Sequence, residues 1–170
     1  MRYIRPIFLG FLLLGLFWSA ASAKTAIVEI NPTQAGSSVT GTLQLEEVAG
    51  GLKIDAVVKG VTPGKHGFHF HENGSCADEG KAAGSHFNPD HVPHGLLTKN
   101  GATHAHAGDM GNIEVGADGT GQLSLTLPGL SLSSGNYNVS GKSVILHEKE
   151  DDFSQPTGNA GARIGCGVIS

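Results

Sequence analysis

Apolar residues in this chain recur at every second position, and the runs stop at glycines. Val39, Gly41, Leu43 and Leu45 fall on one face of a stretch whose other face is Thr40, Thr42 and Gln44. After the Gly50-Gly51 turn, Leu52, Ile54, Ala56 and Val58 do the same. A period of two is that of a half-buried strand, with successive side chains on opposite sides. Thr25 to Ile30, Ile113 to Val115, Leu123 to Leu127, Ser143 to His147 and Ile164 to Ile169 read as further strands, with Val61-Thr62-Pro63-Gly64 as a turn and Asp118-Gly119 as a hairpin cue. No window longer than a few residues beyond residue 23 carries a helical apolar stripe. The 26 glycines among 170 residues follow no collagen-like period and fit many tight turns. An all-β sandwich or barrel follows.

The start of the chain is different. Arg2 and Arg5 precede an unbroken apolar and glycine run, Ile7 to Trp18, and Ala21-Ser22-Ala23 has small-residue cleavage chemistry. These are the three parts of a secretory signal, and the run is too short to cross a bilayer comfortably as a helix. We expect residues 1–23 to be a signal cleaved after Ala23 and residues 24–170 to form one domain; an uncleaved anchor is the alternative. Losing Arg2 and Arg5 lowers Lys+Arg from 11 to 9 against 15 Asp+Glu, so the mature net charge is −6. Such a balance excludes a nucleic-acid binder of the usual basic kind, and no stable membrane partner is expected after cleavage. Export to a periplasmic or extracellular compartment favours pairing Cys76 with Cys166, with two free thiols as the alternative. The bridge would close a loop of about 90 residues, worth on the order of 4–5 kcal/mol in loop-closure entropy.

Nine histidines are the chemical oddity. In a strand, His69 and His71 present two imidazoles on one face while Phe70 enters the other, and imidazole suits both copper and zinc. His147 ends the strand that holds Val144-Ile145-Leu146. Glu72 to Gly111 is a stretch of about 40 residues with little periodicity, and so long a connection is functional or tied down. Its histidines make metal the tie. His86, His94, His106 and Asp109 form a four-ligand N/O set that a closed tetrahedral zinc site accepts; a metal-buffering histidine tract is the alternative. A second long connection, Glu148 to Ala162, ends in Gly158-Asn159-Ala160-Gly161.

Five ordered motifs are more specific than any single histidine. Gly67-Phe68-His69-Phe70-His71-Glu72, Gly84-Ser85-His86-Phe87-Asn88-Pro89, His106-Ala107-Gly108-Asp109, His147-Glu148-Lys149-Glu150-Asp151-Asp152 and Gly158-Asn159-Ala160-Gly161-Ala162-Arg163 together resemble copper/zinc superoxide dismutase, from about Thr25 to Ile169. The secretory start and short second connection look most like secreted bacterial members. The resemblance implies a Greek-key sandwich or barrel of about eight antiparallel strands with two long functional loops. It implies a copper and a zinc per chain, superoxide as substrate, and dioxygen and hydrogen peroxide as products of Cu(II)/Cu(I) cycling, a protection against oxidative stress outside the cytoplasm. Copper falls to His69, His71, His86 and His147, and zinc to His86, His94, His106 and Asp109, with His86 both bridge and proton carrier. Asp151 matches the carboxylate linking His69 to His94, Arg163 the arginine that receives the anion, and Thr157 the threonine lining its channel. Cys76 and Cys166 match the family's disulfide. A homodimer is implied, with a monomer as the alternative.

Some residues depart from the family pattern. Phe153-Ser154-Gln155-Pro156 stands where cytosolic eukaryotic members carry a charged run, so substrate guidance would pass to Lys149 or another lysine. His91 and His104 match no family role and read as spare surface histidines, while His66 matches a structural hydrogen-bonding one. The substrate is an anion and the mature chain is acidic, so the local potential beside Arg163 must outweigh the average field. Two other classes compete: a store for copper or zinc without turnover, and a zinc-stabilised adhesive sandwich. The first would be expected to lack a copper histidine or Arg163, and the second leaves His69, His71 and His147 without purpose.

Overall fold

The computed structural model describes residues 23–170; the expected signal, apart from Ala23, lies outside them. Eight antiparallel strands close into a barrel: β1 Thr25–Pro32, β2 Thr40–Val48, β3 Gly51–Lys59, β4 Gly64–His71, β5 Asp109–Val115, β6 Gly121–Pro128, β7 Ser143–His147 and β8 Arg163–Val168. Around the barrel the order is β1-β2-β3-β6-β5-β4-β7-β8. The connections β3–β4 and β6–β7 each pass over two strands, the Greek-key feature. Helix among the described residues is limited to one turn, α1 Leu97–Asn100, and a 3-10 turn at Lys81–Ala83. No helix there is long and apolar enough to cross a membrane.

The alternation sets the register. Leu43 pairs Ala56, which pairs Leu123, and Leu45 pairs Ile54, which pairs Leu125, so one apolar row crosses three strands at each level. Val28, Leu43, Leu45, Leu52, Ile54, Ala56 and Val58 are buried together, with Phe68, Phe70, Val144 and Leu146 completing the interior. Each large side chain so placed stabilises by roughly 1.5–3 kcal/mol.

β4 and β7 break the alternation because both of their faces are covered. His66 to His71 are six buried residues in succession, and all five residues of β7 are buried. Phe68 and Phe70 point into the barrel, while His69 and His71 lie under the connections that wrap its outside. A small outer cluster of Ile145, Ala83 and Cys166, with Cys76 against it, fastens one wrap. The Cys76–Cys166 disulfide is formed, with a Cα–Cα distance of 5.7 Å.

Candidate metal centre

Backbone hydrogen bonds deliver the long connection to the edge of β4. Glu72 N–H donates to Ser85 O at 3.0 Å and Phe87 N–H to Phe70 O at 2.8 Å, so Ser85–Phe87 runs antiparallel to the end of β4 and His86 bridges to His71. Phe70 N–H donates to Gly108 O at 3.0 Å and Gly108 N–H to Phe87 O at 2.9 Å, which brings the His106–Asp109 turn to the same place. His147 comes from β7, paired with β4 on one side and opposite Arg163 of β8 on the other.

The result is three groups of buried donors. His69, His71, His86 and His147 each offer a ring nitrogen, and these lie within 4.8 Å of one another. His86, His94, His106 and Asp109 form a second such group, and His69, His94 and Asp151 a third. His86 belongs to the first two. The structure thus brings together every expected metal-binding residue.

Hydrogen bonds fix which nitrogen of each ring faces inward. His71 donates from Nδ1 to Gly84 O at 3.0 Å, leaving Nε2 facing His147 Nε2 at 3.4 Å. His69 donates from Nε2 to Asp151 Oδ2 at 2.8 Å, and its buried Nδ1 has no hydrogen-bond partner. His94 Nε2 lies 2.9 Å from Asp151 Oδ1. Its Nδ1 approaches Asp109 Oδ2 to 2.8 Å, yet without hydrogen-bond geometry, so it too is unpartnered. His86 Nδ1 meets Asp109 Oδ1 at 2.9 Å and faces His106 Nδ1 at 3.4 Å. Orphaned buried nitrogens are costly, and nitrogens that face one another converge on a common centre. A cation at each centre satisfies all of them, so both groups fit metal binding, one with four nitrogens and one with three nitrogens and an oxygen.

Electrostatics separates the two halves. Burial, reinforced by the neighbouring His86 charge, depresses His71 to about 2, and burial takes His86 to about 4 despite the Asp109 carboxylate. Burial beside His69, His71 and His86 likewise holds His147 well below the usual imidazole range. These rings stay neutral and available as ligands. His94 goes the other way: burial opposes its charge, but Asp109 and Asp151 on its two sides push it up to about 9. Both carboxyls sit well below their ordinary range, because hydrogen bonds from the imidazoles outweigh burial.

A cleft of about 530 Å³ opens onto the four-nitrogen group, lined among others by His71, His86, His147, Thr157 and Arg163. Arg163 is held by its fork: Nη1 donates to Gly80 O and Nη2 to Gly84 O, both at 2.6 Å. Burial lowers its pKa, but a guanidinium stays charged. Thr157 also lines a second cleft, of about 450 Å³, that reaches His86 and His106. His66 is buried, with its ring nitrogens 2.9 Å from His147 O and 2.8 Å from Thr62 O. His91 and His104 are exposed.

Three supporting residues had no signal in the sequence. Asn112 pairs with the backbone of Asp151, its Nδ2 donating to Asp151 O at 2.9 Å and its Oδ1 accepting from Asp151 N–H at 2.7 Å. Gln155 does the same to His94, and Phe153 stacks near the His94 ring, with centroids 6.2 Å apart.

A Greek-key barrel carrying two buried donor groups that share one imidazole defines a class of two-metal proteins. The family described as copper/zinc superoxide dismutase matches residues 39–169. An extracellular Cu-Zn superoxide dismutase of Caenorhabditis elegans is 36% identical over 154 residues, covering 86% of this chain and 68% of its own. A Cu-Zn superoxide dismutase of Onchocerca volvulus is 38% identical over 147 residues, covering 79% and 90%. The crystal structure of the clock protein EA4 superposes with a TM-score of 0.76 at 30% identity, covering 95% of this chain and 98% of that one. The chain belongs to the copper/zinc superoxide dismutase family. It is an oxidoreductase that dismutates superoxide.

Proposed function

We propose that His69, His71, His86 and His147 hold the copper, and that His86, His94, His106 and Asp109 hold the zinc. The observation that carries this is the double membership of His86, which belongs to both donor groups and turns its Nδ1 toward Asp109 and His106. Copper supplies the one-electron couple that dismutation needs, and zinc a fixed positive charge without redox chemistry.

The remaining work belongs to the chain. With cations held at both donor groups, His86 would lose its second ring proton, because nearby positive charge favours the anionic ring. A His86 nitrogen not engaged by a cation could carry a proton taken from water and donate it to the reduced oxygen species in the cleft. Arg163, seated on Gly80 O and Gly84 O, presents positive charge to the anion in the cleft, and Thr157 lines the approach. Asp151 fixes the tautomers of His69 and His94 together.

Metal analysis with a dismutation assay tests the assignment. We expect a copper and a zinc per chain with rapid turnover; zinc alone, with no activity after copper loading, overturns it. Within that test, Arg163→Glu is expected to lower kcat/KM about tenfold or more, a larger fall than any in copper content. Equal loss of both would reject the anion-guiding role.

The disulfide and the extracellular relatives suggest an exported protein. We propose further that residues 1–23 direct that export, that the protein works in the periplasm or outside the cell as secreted bacterial members do, and that it pairs as a homodimer. The basic start, the apolar run and the short Glu148–Ala162 connection support the first two readings. Exported protein beginning at Lys24 and sedimenting as a dimer is the expected result; an N-terminus at Met1 overturns the export reading, and a monomer overturns the dimer.

A further inference from the structure

Gln155 is exposed and binds no metal, yet its carboxamide closes a ring of two hydrogen bonds on the backbone of His94. His94 N–H donates to Oε1 at 2.9 Å, and Nε2 donates to His94 O at 2.9 Å. His94 lies in coil, and among the described residues its backbone has no other hydrogen-bond partner. The other members of its donor group are anchored elsewhere. His86 is bridged to β4, Asp109 begins β5, and His106 N–H donates to Asp109 Oδ2 at 2.9 Å within one turn. His94 alone is gripped from the Glu148–Ala162 connection: Gln155 on its backbone, Asp151 on Nε2, and Phe153 beside its ring. Gln155 and Thr157 also wall the cleft that leads to His86 and His106.

We infer that Gln155 is a positioning residue for the zinc-side half of the centre, a latch that keeps His94 in place and so sets how fast zinc leaves. The connection that lacks a charged guiding run would then serve metal retention instead. This rests on the placement of zinc at His94 proposed above. A backbone left without partners near the cleft is free to take water instead; losing a partner of the ligating ring itself costs about 10–100-fold in metal affinity, and for a backbone support we expect the lower end of that range.

The test uses the metal-loaded protein and two variants. Gln155→Met keeps the length and loses both hydrogen bonds; zinc transfer to a chromophoric chelator should speed up about tenfold or more, with copper release within about twofold of the parent. Exchange of the His94 backbone amide should speed up with it. Gln155→Glu keeps the accepting oxygen but cannot donate when ionised, so an intermediate zinc rate is expected near neutral pH, a partial rescue that simple loosening of the connection would not give. A parent-like zinc rate in Gln155→Met, or equal acceleration of zinc and copper release, overturns the proposal. Should Gln155→Met not fold, Gln155→Glu decides alone: an intermediate rate supports the latch and a parent-like rate rejects it. If the parent protein retains no zinc, the zinc placement itself fails, and amide exchange at His94 still decides whether Gln155 holds that backbone.

Discussion

At the scale of single residues, the coupling between the two donor groups passes through one carboxylate, and a glycine makes room for it. Gly158 has φ +77, and a Cβ there would lie 1.8 Å from Asp151 Oδ1 and 2.8 Å from His94 Nε2. Neither the backbone angle nor the space admits another side chain. Gly158→Ala should therefore push the Asp151 carboxylate off both His69 and His94, which it now meets at 2.8 and 2.9 Å. The expected outcome is loss of affinity for both metals, about 10–100-fold each, read by competition with chelators. Zinc loss alone would show that Asp151 does not act on His69. The members of the donor groups were legible in the sequence because imidazole and carboxylate are ligand chemistry wherever they stand, and their motifs keep family spacing. Gln155 and Asn112 were not. Their carboxamides reach backbone 61 and 39 positions away, and a bond of that kind leaves no local pattern before the chain closes.

At the scale of elements, β8 carries two fasteners for the first wrap of the long connection. Cys166 is bonded to Cys76, and Arg163 donates to Gly80 O and Gly84 O. Gly84 O also accepts from His71 Nδ1 at 3.0 Å, so the same carbonyl seats the guanidinium and fixes the His71 tautomer. Removing the disulfide by Cys76→Ser with Cys166→Ser should loosen residues 76–84 and with them Arg163 and His71. We expect a stability loss of roughly 2–5 kcal/mol, seen as a lower thermal midpoint, together with faster copper release. An unchanged midpoint would contradict this. The strands themselves were readable where one face is wet: β2, β3 and β6 show the expected alternation. Burial on both faces erases the period of two in β4 and β7 alike: β7 stayed legible as the apolar run Val144-Ile145-Leu146, whereas β4, whose run is interrupted by histidines, was read only at His69 to His71, with a turn before it.

At the scale of the whole molecule, an acidic chain stores opposed protonation demands in one buried centre. In the metal-free protein His71 and His86 sit at about 2 and about 4, and His147 is also depressed. The unfolded chain binds those protons first as pH falls below about 6.5, so each ring withdraws up to ~1.4 kcal/mol per pH unit from stability there. His94, raised to about 9, acts in the opposite sense: its contribution is full below about 6.5 and is lost as pH rises toward 9. Asp109 and Asp151, both depressed, add stability that disappears only when pH falls below the ordinary carboxylate range of about 3.9. The thermal midpoint of the metal-free protein should therefore peak near pH 6.5 and fall steeply on the acid side and gently on the alkaline side. Metals bound as proposed would occupy the same nitrogens and stabilise the folded form, so the loaded protein should hold its midpoint from about pH 5 to 9. Thermal melts of both forms across that range are the check. A metal-free curve flat from pH 4.5 to 9 would mean that the buried imidazoles do not carry the charges assigned to them.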